Sequence, residues 1–134
     1  MPIEHIRLSQ QAREQLIRLK RRTGIQNWNV LCRWAFCTSL GEEGVPPAAK
    51  IPADSSVEMT WRVFGGAYSD IYVALLKERC RRDGLEINDE NLNLQFRLHL
   101  HRGIGYLSGD KQITSISTLI GKAVTDSALG APRR

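Results

Sequence analysis

His99 and His101 flank Leu100 and run directly into Arg102, Gly103 and Gly105. Two imidazoles can hold a metal or relay protons. Residues two apart diverge on a helix, however, and no carboxylate adjoins this pair, so surface or phosphate-contact roles rank ahead of catalysis. Gly103-x-Gly105 lacks the strand-glycine-helix context and the spacing of a nucleotide fingerprint, which leaves a tight turn or close helix packing. Cys32, Cys37 and Cys80 are odd in number and contain no CxxC pair. Two of them fall in an apolar run that would raise and hide a thiol, so reduced thiols packed as small hydrophobes are expected. No nucleophile beside a base, no paired carboxylates and no metal cluster stands out. No catalytic, cofactor or metal residue is assigned.

The positive chemical signal is charge. Arg18, Lys20, Arg21 and Arg22 crowd one stretch, and Lys77, Arg79, Arg81 and Arg82 another, within a chain of net charge +5 whose excess is mostly arginine. Arginine suits forked contacts to phosphate, and each cation set on a phosphate releases counterions. Both runs end predicted helices, where cations also suit the helix dipole, so part of each has a structural explanation. No recognition helix for base reading stands out.

The elements that must position these residues are mostly helical. At helical spacing the apolar residues of Asn29–Leu40 go almost all the way round, with Arg33 the one charge, which predicts a buried central helix over 30–40 between Asn29 as N-cap and Gly41 as a left-handed C-terminal residue. Arg33 then needs an acid, a carbonyl or a route to the surface. Residues 5–9 alternate as a short strand. Ser9 caps a helix to about Arg22 with Ala12, Leu16, Leu19 and Thr23 inward, closed by Gly24. That helix and the central one are expected to form a hairpin. Ile17 lies outside the inward stripe among Arg13, Lys20 and Arg21, which suggests contact with another subunit or a ligand.

Gly41–Pro47 is a break, and a surface connection is expected to Ser56. Residues 57–64 alternate as a strand with Val57, Met59, Trp61 and Val63 on one side. A helix follows over 71–82. Leu92 to Leu100 alternate with Asn93, Gln95, Arg97 and His99 as a strand would, but Asn88-Asp89-Glu90 is a helix start and the segment is long, so helix is preferred. A last helix, capped by Thr114 or Ser115, carries Ile116, Leu119, Ile120 and Ala123. The reading is thus a single helical domain over 1–124, of about five helices around helix 30–40, with possible short strands near 5–9 and 57–64 and a flexible tail over 125–134.

A length of 134 residues fits one domain with a real core, and 42% apolar with 25% charged residues excludes disordered and fibrous classes. No basic-then-apolar leader and no apolar stretch of roughly 20 residues is present, so a cytoplasmic protein without a membrane segment is expected.

Leu19-Lys20-x-Arg22-Thr23-Gly24-Ile25, then Asn29-Val30-Leu31-Cys32-Arg33, then Ser39-Leu40, and finally His99-Leu100-His101-Arg102-Gly103-Ile104-Gly105-Tyr106-Leu107 follow one another along the chain. In that order and spacing, over roughly residues 6–123, the sequence resembles the DndE family, the small component of the DNA phosphorothioation (DNA sulfur modification) system. The resemblance implies a helical homotetramer that binds double-stranded DNA, preferring nicked duplexes, without strong sequence preference. It also implies partners: a cysteine desulfurase, a sulfur-transfer enzyme with an iron-sulfur cluster, and an ATPase, which together replace a non-bridging phosphate oxygen by sulfur. Lys20 and Arg22 lie in the matched motif; Arg18 and Arg21 join them on electrostatic grounds. No nuclease constellation is present, so an accessory subunit without catalysis or cofactor is expected. The competing reading is a ribbon-helix-helix repressor, in which residues 5–40 supply strand, helix, helix and His5, Arg7 and Ser9 would enter the major groove. A third is a protein-protein adaptor with no DNA contact.

Overall fold

In the computed structural model, which describes residues 3–128 and the side chains of 3–124, Ser9 opens helix α1 (Gln10–Thr23). Its hydroxyl accepts from the Ala12 amide at 3.0 Å, and Gly24 closes the helix at φ 76°. A left-handed cap of this kind favours glycine. Ala12, Leu16, Leu19 and Thr23 face inward, as their spacing requires. Before α1, strand β1 (His5–Arg7) pairs antiparallel with β2 (Glu58–Thr60), Ile6 opposite Met59 and both buried. β1 is therefore engaged within its own chain. His5 and Arg7 both meet Glu58, at 3.1 and 2.6 Å, and Ser9 is spent on its helix cap, so the groove-facing triad of a ribbon-helix-helix repressor is not assembled.

Helix α2 (Trp28–Leu40) starts at Asn27 rather than Asn29, and Gly41 closes it in right-handed geometry at φ −74°. Asn29 instead donates to the Val63 carbonyl at 3.2 Å. The expectation of burial all round holds for one face only. Leu31, Cys32, Ala35, Phe36 and Ser39 are buried, while Val30, Arg33 and Trp34 are partly open and Cys37 is exposed, because no described element covers that side. Arg33 finds a carbonyl partner, donating to Phe64 at 3.1 Å.

The expected strand over 57–64 is cut short at Thr60, whose hydroxyl accepts from the Val63 amide and so starts the short helix α3 (Trp61–Gly65). Trp61 stays buried, but the turn into helix throws Val63 outward. A 3₁₀ turn leads into α4 (Ser69–Arg82). Phe36, Trp61, Phe64, Tyr72 and Phe96 meet with ring centroids 5.0–6.3 Å apart, several edge to face, and form the aromatic centre of the core.

Helix α5 (Asp89–Gly109) is the common partner of the others. Asn88 caps it by accepting from the Asn91 amide at 2.8 Å, with Asp89 and Glu90 in the first turn. α1 and α2 touch each other only lightly; each packs on α5 instead, so they do not form the expected hairpin. The tightest crossing is at Gly103, where a Cβ would sit 1.7 Å from the Ala35 carbonyl oxygen. Helix α6 (Ile116–Ala128) returns over α1, with Leu119 buried. The expected domain limit at 124 falls inside this helix, and positions 129–134 of the expected tail lie outside the described residues. The chain is mostly helical, with five helices of thirteen residues or more among the described residues and one two-stranded sheet.

Candidate nucleic-acid interface

The last turns of α1 carry the four cations singled out by the sequence, and the helix sends them in different directions. Arg18 and Arg21 are exposed and make no described hydrogen bond or ion pair. Lys20 and Arg22 are two residues apart and therefore diverge by about 160° around the axis. Lys20 leans toward α2, where its Nζ lies 3.4 Å from the ring centroid of Trp28. Burial there, and next the neighbouring Arg13, hold its pKa below the usual lysine value. Arg22 leans toward the end of α5 and donates to the Ser108 carbonyl at 2.7 Å. The helix end thus presents two unpaired guanidinium groups, flanked by a lysine resting on an indole and by an arginine that also ties α1 to α5. Ile17, the residue before Arg18, is partly exposed.

The second basic run is largely structural. Arg79 is 4% exposed and donates to the carbonyls of Leu40, Glu42, Glu43 and Gly44 and to the Asp83 carboxylate, closing the C-terminal end of α2. Arg81 is paired with Glu78. Lys77 and Arg82 remain exposed. α4 and α1 both pack on α5, without substantial contact with each other.

The histidines separate as a helix demands. His99 points to α2, where its Nδ1 lies 2.8 Å from the Ser39 hydroxyl; His101 points to α1, its Nε2 accepting from the Ser9 amide at 3.2 Å. Arg102 Nε donates to the same Ser39 oxygen, and His99 Nε2 on the other side of the ring is buried without a partner among the described residues. Burial drives both imidazoles down to about 4, with Arg79 and Arg102 adding to the effect at His99. Both are neutral and they do not converge: His99 is fully buried, while His101 is partly exposed beside the start of α1. Arg102 also donates to the Ser39 and Gly44 carbonyls and leans over Tyr106.

Cys32 and Cys80 are buried as expected, and burial pushes the Cys32 thiol up to about 12. Cys37 departs from expectation: it is exposed, in a shallow cleft with Val30, Arg33, Trp34 and Tyr72, whose apolar surroundings raise its thiol. Among the described residues no three His, Cys, Asp or Glu side chains converge as a metal requires. No helix among them is long and apolar enough to cross a membrane. Sequence reasoning missed Trp28 at the basic helix end. Its position eight residues after Lys20, across a loop without charge, gives no local pattern to find it by.

A family model described as DNA sulphur modification protein DndE matches residues 5–115, ending immediately before α6. No curated protein matches the chain by sequence. Among solved structures, the chain is similar to DndE from Escherichia coli B7A, a protein involved in DNA phosphorothioation modification. The two are 25% identical, with a TM-score of 0.67, and the match covers 80% of this chain and 98% of the other. The fold is also that of a DndE G21/24K mutant involved in DNA phosphorothioation, at 23% identity and a TM-score of 0.61, covering 78% of this chain and 95% of the other.

Proposed function

This chain belongs to the DndE family of DNA sulphur modification proteins, and from that premise we propose that it is the duplex-binding subunit of a DNA phosphorothioation complex. It holds the sugar-phosphate backbone through Arg18, Lys20, Arg21 and Arg22, prefers a nicked duplex to an intact one, and reads little sequence. It acts in the cytoplasm as a homotetramer beside the other DNA sulfur-modification proteins, as an accessory subunit and not as a catalyst. The observation that carries the reading is the pair Arg18 and Arg21. Both are exposed and without a described partner, whereas Arg79, Arg81 and Arg102 are committed to contacts inside the chain. Guanidinium groups left free at a helix end are matched to phosphate oxygens.

The test is gel-shift binding of the full chain to intact and nicked duplexes of unrelated sequences across a salt series. Tighter binding to the nick, similar affinity across sequences and a steep loss with salt are expected. Tight binding to a single sequence, or no binding at low salt, contradicts the reading.

A further inference from the structure

We infer that Trp28 is a stacking platform for a nucleobase that has left the duplex stack, and that Lys20 is the latch over it. The inference rests on the duplex-binding reading above and names the group that one part of that surface takes.

Lys20 Nζ lies 3.4 Å from the centroid of the indole, within reach of the ring's negative face. Trp28 is the first residue of α2 and is only partly buried. The loop before it, Gly24-Ile25-Gln26-Asn27, carries no charge, and Gln26 and Asn27 are exposed. A planar, neutral group can therefore approach the ring without meeting a charge from that loop. Arg21, the residue after Lys20 at the same helix end, is exposed and supplies a backbone contact that brings a nucleotide there.

A phosphate is a stronger partner for an ammonium than an aromatic face is, because a full charge replaces a quadrupole. When a phosphate draws Lys20 away, the indole face it covered opens. In a nucleotide the phosphate and the base are joined through one sugar, so a single ligand both lifts the latch and fills the face. A base inside an intact duplex is stacked on both sides and cannot take the place. A base at a strand discontinuity has lost a neighbour and can. Aromatic residues beside a basic track bind unstacked bases in this way, whatever the base. Trp61 is buried in the core and cannot serve this role, and Trp34 lies on the outer face of α2.

The experiment uses the full chain at low salt with two duplexes of the same sequence, one intact and one with a one-nucleotide gap facing a 2-aminopurine. The wild type is expected to quench the 2-aminopurine on binding and to favour the gapped duplex on the order of tenfold. Trp28→Leu abolishes the quench and brings the affinity ratio to near unity. Trp28→Phe, which keeps an aromatic ring in the same packing, retains part of both and shows that the loss does not come from misfolding. Lys20→Met weakens binding to both duplexes by the same factor and keeps the ratio. An undiminished quench and ratio in Trp28→Leu overturn the platform and leave the duplex-binding reading standing. A wild type that binds neither duplex overturns both.

Discussion

Lys20 and Arg22 stand two positions apart in one motif, yet the helix gives them separate tasks. Arg22 donates to the Ser108 carbonyl at the end of α5, so its loss has a structural cost that loss of Arg18 or Arg21 does not. Arg22→Ala is expected to lower stability by about 1 kcal/mol through that bond, read as a shifted urea midpoint. Arg21→Ala should leave the midpoint in place. His99 sets a second expectation. Its pKa lies near 4 in the folded chain, against an ordinary 6.5, so the unfolded chain binds the extra proton between these values. Stability is therefore complete above pH 6.5 and declines as pH falls toward 4. At about 1.36 kcal/mol per unit, His99 alone withdraws on the order of 3 kcal/mol over that window. Urea midpoints measured at pH 7 and 4.5 should separate strongly in the wild type and less in His99→Gln; equal separation in both removes His99 as the cause.

At the scale of elements the fold hangs on the crossing of α2 and α5. Gly103 permits it, since any Cβ there meets the Ala35 carbonyl at 1.7 Å, backbone that cannot yield without moving a helix. Gly103→Ala is expected to cost about 3 kcal/mol or more, seen as a large fall in melting temperature; Gly105→Ala, which meets nothing within 4 Å, should cost far less. Helix ends were legible in the sequence where a side chain or a glycine fixes them, as Ser9, Gly24 and Asn88 do. The alternation of Leu92 to Leu100 mimicked a strand but yielded to the Asn88 cap and the length of the run. Thr60 was the opposite case: read as a strand residue, it caps α3 and ends the strand early. Packing partners were not legible. α1 and α2 are neighbours in sequence but pack on α5, which arrives some fifty residues later and holds both through contacts no local pattern encodes. The four α1 cations were readable as a cluster. Their division into free, stacked and structural groups depended on Trp28 and Ser108, both distant in sequence.

Among the described residues, apolar side chains stay open on three helices: Val30 and Trp34 of α2 are partly exposed, and Val63 of α3 and Ile71 and Leu75 of α4 are 51%, 54% and 42% exposed. Exposed apolar surface of this kind marks interaction sites, and the proposed homotetramer gives it an occupant. Ile71→Glu is expected to lower the mass found by light scattering while leaving the melting temperature nearly unchanged, and Ile17→Glu tests the basic side of α1 in the same way. An unaltered mass in either variant removes that residue from the interface. Phosphates held at the C-terminal end of α1 are read directly from the slope of log affinity against log salt. Each phosphate contact contributes about 0.9 to that slope on duplex DNA. Arg18→Ala combined with Arg21→Ala should flatten the slope by roughly 1.8 without changing the melting temperature. A double variant with the wild-type slope would mean that Arg18 and Arg21 hold no phosphate.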